Sequence, residues 1–206
     1  MSLSDVFDKD LFETFFSRID SVEGNVFSEE ETLVAKAVDS RKKEFRSGRI
    51  ASRKTLERWG YGDSKILAVN RMPVFPLGTV GSISHTKEYV IAVSALRENC
   101  QSIGIDLEEI SRVSQDLWHL IFTIKETEII KKAEEESLAA LFFSAKESFF
   151  KMQYPITQKM LDFKEVEISF GKDNSWQVRC ENSEMAKALG KYAVEDDIVC
   201  TLCYLL

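Results

Sequence analysis

Apolar and polar positions change their period several times along the chain, and each change marks an element. From Glu29 to Trp59 the spacing predicts a helix, with Ser28 placed to cap it and Gly60 and Gly62 to end it. Strand-like pieces follow at Lys65–Val69, Ser82–Thr86, Tyr89–Ala95 and Ser102–Glu108. Helices return over Asp116–Met152, with Thr123 capping one of them. Here Leu138, Leu141, Phe142, Ala145, Phe149 and Met152 form an apolar stripe at helical spacing, while Ser144, Glu147 and Lys151 take the opposite face. The tail reads as strands: Glu165–Phe170 alternates and meets Ser175–Cys180 across a Gly-Lys-Asp-Asn turn, a hairpin by pattern.

A faint repeat runs through this layout. Phe27-Ser-Glu-Glu-Glu-Thr32 is similar to Phe122-Thr-Ile-Lys-Glu-Thr127, and each precedes a long helical region and then strands. Two short helix starts can also agree by chance. Taken as a repeat, it predicts an α+β fold of two pseudo-symmetric halves, residues 1–100 and 101–206, forming one compact unit with a cleft between them. Only 3 prolines and no low-complexity stretch interrupt the chain, so no flexible linker is expected.

Composition narrows the class. The 206 residues are 44% hydrophobic and 30% charged, as in ordinary soluble proteins. No apolar run approaches the ~20 residues a membrane helix needs. Met1–Asp10 carries three aspartates and no basic start, which argues against a secretory signal and for the cytoplasm. Cys200 and Cys203 have C-x-x-C spacing, but on a strand such positions face opposite sides, so a metal or redox pair is not expected. With few thiols and only His85 and His119, any metal should be a hard one held by carboxylates. The net charge of −7 speaks against nucleic acid as partner, yet eight basic residues against two acidic ones crowd Arg41–Arg58. Such a local patch suits a small polyanion or an acidic partner.

Three constellations carry chemistry. In Ile103-Gly-Ile-Asp-Leu-Glu108, Asp106 and Glu108 share one strand face ~7 Å apart, able to reach one hard cation, with Gly104 leaving room beside them. A solvated acidic strand face is the commoner meaning of that pattern. Glu147 and Lys151 form an ordinary i, i+4 helix pair, but Phe143 and Phe150 flank them as if the face were covered. Gly81-Ser-Ile-Ser-His-Thr86 offers backbone N–H, hydroxyl and imidazole groups to phosphate oxygens. No serine-hydrolase elbow surrounds it, and Gly78-Thr-Val-Gly81 matches neither a Walker loop nor a dinucleotide fingerprint. Three acids with Ser, His, Lys and Arg donors make a kit for phosphoryl transfer.

These residues also carry a resemblance. Gly104-Ile-Asp-Leu-Glu108, followed by Phe143-Ser-Ala-Lys-Glu-Ser-Phe-Phe-Lys151, resembles the paired motifs of the 4′-phosphopantetheinyl transferase superfamily, of the long single-chain surfactin/enterobactin-synthetase type. Ser82-Ile-Ser-His85, Pro73–Gly78, Glu44-Phe45 and Gly48–Arg53 extend the likeness, which spans Arg41 to Lys151. The resemblance implies a holo-[acyl-carrier-protein] synthase type transferase that moves phosphopantetheine from coenzyme A to a serine of an acyl or peptidyl carrier protein, releasing 3′,5′-ADP. It implies Mg²⁺ on Asp106, Glu108 and Glu147, and coenzyme A phosphates on Lys151 and His85 with Ser84 helping. Arg49, Arg53 and Arg71 would supply further phosphate contacts. Glu147 would deprotonate the carrier serine, directly or through water, and Lys151 would stabilise the developing charge. Lys146 points ~100° away from Glu147 and serves the carrier or the fold. A monomer is expected, with no nucleic acid or membrane partner. Two other classes fit parts of the pattern: a non-catalytic coenzyme A or carrier-binding module, which has no need of three acids, and a Mg²⁺-dependent phosphohydrolase, which needs no acceptor protein.

Overall fold

Strand β1 (Glu13–Arg18) pairs with β5 (Tyr89–Leu96), and β5 with β4 (Thr79–His85), giving an antiparallel three-stranded sheet in the order β1-β5-β4. A second antiparallel sheet has the order β6-β10-β9-β8-β7, built from β6 (Ser102–Glu109), β7 (Glu167–Phe170), β8 (Ser175–Arg179), β9 (Leu189–Glu195) and β10 (Ile198–Leu205). A hairpin of β2 (Leu67–Val69) and β3 (Met72–Val74) stands apart. Its turn residues Asn70 and Arg71 have φ of 51° and 69°, a two-residue turn of the kind hairpins favour. The structure is a computed structural model and describes residues 7–133 and 135–206.

Helix α2 (Asp39–Glu57) packs across the first sheet, following the short α1 (Ser28–Thr32). After α3 (Trp118–Ile121) and α4 (Ile124–Ala133), the long α5 (Glu136–Thr157) packs across β6 and β10. The sheets meet where β4 approaches β6, and Ile105 N–H donates to Ser82 Oγ there at 3.0 Å. Ile103, Ile105 and Leu107 enter a core shared with Val80, Ile91 and Val93 of the first sheet. The expected apolar stripe of α5 supplies the other large core: Phe142, Ala145, Phe149 and Met152 pack with Ile168 and Trp176. Cys200 and Cys203 belong to these two different cores, on opposite sides of β10.

Several expectations change. The helix predicted from Glu29 to Trp59 is broken between Thr32 and Asp39, and α5 runs past Met152 to Thr157. Strands β1 and β9 have no clean alternation and were not expected. The repeat takes a different register. Glu30 and Glu126 are its equivalent residues, aligning Phe27 with Thr123 rather than with Phe122. Glu30 accepts from Phe27 N–H at 2.9 Å and Ile66 N–H at 2.8 Å; Glu126 accepts from Thr123 N–H and Ile168 N–H, both at 2.8 Å. Each is fully buried and ion-paired to a basic residue of the long helix that follows, Arg53 at 2.8 Å and Lys146 at 2.7 Å.

Candidate active site

Gly104 decides how closely α5 approaches β6. The sequence suggested that it leaves room for a ligand; in fact it leaves room for the helix, since a Cβ there would lie 2.0 Å from Ser148 O and 2.6 Å from Met152 N. With the backbones this close, Lys151 reaches over the strand. Its ammonium donates to Asp106 Oδ1 at 2.7 Å, Ser84 Oγ at 3.0 Å and Ile105 O at 3.1 Å. Ser84 Oγ also donates to Asp106 Oδ1, at 2.9 Å.

These groups open into a cleft of about 330 Å³. Arg49, Arg71, Ser84, His85, Asp106, Glu108, Glu147 and Lys151 all line it. Arg53 does not. It was expected among the phosphate contacts, but its guanidinium is buried against Glu30 and donates to Asn25 O at 2.6 Å. Arg41, Glu44, Phe45 and Arg112 line the cleft too; the sequence singled out the first three only through the basic patch and the family likeness, and Arg112 not at all. Arg112 carried a usable signal, lying four residues after Glu108, and its guanidinium stands 3.6 Å from the Glu108 carboxylate. A neighbouring cavity of about 440 Å³ shares Arg71, Pro73, Ile83, Glu147 and Lys151 with the cleft, and Met72, Phe150, Tyr154 and Leu161 make its far wall more apolar.

The electrostatics are those of charges held out of water. Burial, reinforced by Asp106, pushes the Glu108 carboxyl up to about 7 against the pull of Arg112 and Lys151. Burial and Asp106 raise Glu147 as well. Burial brings Arg49 down to about 10, with Arg53 and Arg41 adding repulsion, and its guanidinium lies 4.2 Å from the Phe45 ring centroid. The Arg49 Nε is buried without a hydrogen-bond partner. His85 is also lowered, chiefly by burial. Its neighbours assign the neutral tautomer: Nδ1–H faces Thr86 O at 3.2 Å, and Nε2 accepts from Arg41 at 2.8 Å.

Among the described residues no three His, Cys, Asp or Glu side chains are already gathered as a metal-binding group. The donor chemistry nevertheless fits a hard cation. Asp106 Oδ2 and Glu108 Oε2 are buried with no hydrogen-bond donor, the second facing Arg112 only across 3.6 Å, and buried carboxylate oxygens left without donors call for further positive charge.

The chain is 34% identical over 175 residues to enterobactin synthase component D of Escherichia coli (strain K12), a match covering 79% of this chain and 77% of that protein. The chain belongs to the 4′-phosphopantetheinyl transferase superfamily. Family profiles agree: the 4′-phosphopantetheinyl transferase N-terminal domain matches residues 29–95, and the 4′-phosphopantetheinyl transferase superfamily matches residues 102–203. The 4′-phosphopantetheinyl transferases Svp of Streptomyces mobaraensis and Npt of Nocardia iowensis are each 33% identical, over 72% and 68% of this chain. The chain spans 62% and 64% of the length of these two superfamily members. Among solved structures, a holo-[acyl-carrier-protein] synthase of Thermotoga maritima aligns with a TM-score of 0.43 and 21% identity, over 50% of this chain and 62% of that one.

Proposed function

We propose that the chain transfers 4′-phosphopantetheine from coenzyme A to a serine of an acyl or peptidyl carrier protein. One observation carries the reading. A single cleft joins acids with bare, buried oxygens to a wall of Arg41, Arg49, Arg71 and Lys151, and it continues into an apolar cavity. Coenzyme A has the matching halves, a multiply charged phosphoadenosine end and a long, weakly polar arm.

Arg41, Arg49 and Arg71 bind the phosphates by charge, and the bare Arg49 Nε has a donor free for one of them. The apolar cavity lined by Met72, Phe150, Tyr154 and Leu161 receives the pantetheine arm. Asp106, Glu108 and Glu147 would hold Mg²⁺, which when bound neutralises charge on the pyrophosphate. Glu147, with its raised affinity for protons, takes the proton from the carrier serine. The serine oxygen forms a bond to the β-phosphorus, the bond to the bridging pyrophosphate oxygen breaks, and 3′,5′-ADP leaves with that electron pair. Lys151 donates to the oxygen on which negative charge grows. His85, neutral where it stands, accepts from Arg41 and so orients its guanidinium toward the phosphates. Both sheets and both long helices come from one chain, so a monomer suffices for the reaction. No helix among the described residues is long and apolar enough to cross a membrane, and Cys100, Cys180, Cys200 and Cys203 are all free, in keeping with a place in the cytoplasm.

Intact-protein mass of a panel of apo carrier proteins, incubated with this protein, coenzyme A and Mg²⁺, tests the proposal. The expected result is a gain of one phosphopantetheine unit, lost with EDTA or a carrier Ser→Ala change. Coenzyme A cleavage without a modified carrier would make the protein a hydrolase. Binding of coenzyme A with neither outcome would make it a binding module.

A further inference from the structure

We infer that the buried Glu126–Lys146 pair is a positioning device that sets the rotation of α5, and so places Glu147 and Lys151 for transfer. The inference rests on the transferase reading. The Lys146 ammonium is fully buried and has four acceptors: Glu126 Oε2 at 2.7 Å, Phe163 O and Val166 O at 2.7 Å each, and Ile121 O at 3.2 Å. Glu126 in turn accepts from Thr123 N–H and Ile168 N–H. One ion pair therefore ties α5 to the start of α4, to the loop before β7, and to β7 itself. None of these groups lines the cleft.

Helical geometry converts that tether into control of the site. Lys146 immediately precedes Glu147 and lies five residues before Lys151, so with ~100° per residue the two cleft residues share a face and Lys146 points well away from it. Fixing Lys146 on the far side fixes the angle of that face. A rotation of ~10° moves a group ~5 Å from the axis by nearly 1 Å. A misplacement of ~1 Å is enough to cost on the order of a hundredfold in rate. Apolar residues of like volume could fill the same space with no loss of stability, and they would leave the helix free to settle at other angles. The first half repeats the device. Arg53 on α2 pairs with Glu30 through two contacts at 2.8 and 3.0 Å, one helical turn beyond Arg49. There the tethered helix presents a phosphate-binding arginine, so the first pair governs binding and the second governs the chemical step.

The test compares two double variants, each removing both charges of one pair: Glu126→Gln with Lys146→Met, and Glu30→Gln with Arg53→Met. For each, circular dichroism and thermal melting establish folding. Calorimetry gives coenzyme A affinity, and carrier modification gives kcat and KM, with the wild type in parallel. The Glu126/Lys146 variant should lose ~100-fold in kcat and keep coenzyme A affinity within about threefold. The Glu30/Arg53 variant should lose ~10-fold in coenzyme A affinity and keep kcat within about threefold. A folded Glu126/Lys146 variant with wild-type kcat overturns the inference, as do equal losses of kcat and affinity in both variants, the signature of a merely structural pair. If that variant does not fold, Glu126→Asp keeps both charges and shortens the reach: a ~10-fold fall in kcat at unchanged affinity supports the inference, and an unchanged kcat overturns it. A wild-type protein that modifies no carrier would instead sink the transferase reading.

Discussion

Asp106 gathers its hydrogen bonds on Oδ1, from Ser84 and Lys151, and leaves Oδ2 buried and bare. Asp106→Asn keeps an oxygen for those two donors and removes the charge. The variant should fold, melt within a few degrees of wild type, and lose ~100-fold or more in Mg²⁺-dependent carrier modification. Near-normal turnover at limiting Mg²⁺ would refute the assignment. Glu108 shows the converse effect, a charge that burial opposes. Its folded value of about 7 lies above the ordinary carboxylate range, so the cost to the fold begins as pH rises past the unfolded value and is complete above the folded one. In EDTA at pH 8, Glu108→Gln should therefore melt a few degrees higher than wild type, and at pH 4 the difference should vanish. Mg²⁺ should raise the wild-type melting temperature and not that of the variant. A Glu108→Gln protein that is less stable in EDTA at pH 8 would count against the electrostatic account.

At the scale of elements, the contact between β6 and α5 can be broken with one carbon. Gly104→Ala would press a methyl group against Ser148 O and Met152 N, backbone atoms with no rotamer to relieve them. The expected cost is ~2–3 kcal/mol of stability, measured by urea unfolding, with activity falling because Lys151 is drawn away from Asp106. Both elements were readable from sequence because their periods are strict: Ile103, Ile105 and Leu107 alternate along β6, and α5 has a continuous stripe. The break before α2 was not. Residues 33–38 contain no glycine or proline, and the chain turns there because Glu30 and Glu31 must come back to Arg53 and Arg46, both on α2. The same long-range pairing turns Arg53 away from the cleft where the sequence had expected it; a buried partner 23 residues away leaves no local mark. Strand β9 is held between β8 and β10 by pairing on both sides rather than by its own pattern. The opposite facing of Cys200 and Cys203 did follow from strand geometry. It makes both thiols inert: burial raises each of them, and pushes Cys100 up to about 11. Brief alkylation of the native protein at pH 8 should label Cys180 alone, by peptide mass.

The whole molecule brings two sheet-and-helix units together at one cleft. Arg41 and Arg49 come from α2, Arg71 from the β2–β3 hairpin, and Ser84 and His85 from β4. Asp106 and Glu108 come from β6, and Glu147 and Lys151 from α5. A ligand that touches all of them links the units as well as filling the space between them. At a coenzyme A concentration ~100 times its Kd, stabilisation should reach ~2.7 kcal/mol, which for a chain of this length is ~5–10 °C in Tm. The linkage makes a sharper prediction than the size of the shift. Hydrogen exchange should slow in α2 and α5 together, in proportion to ligand occupancy, and far more than in the β7–β8 hairpin, none of whose residues lines the cleft. Because the first wall is cationic and exposed at its mouth, raising salt from ~0.05 to ~0.5 M should weaken binding and reduce the protection of both helices in step. Protection confined to α2 would mean that coenzyme A phosphates bind the arginines alone. The acids on β6 and α5 would then have another purpose.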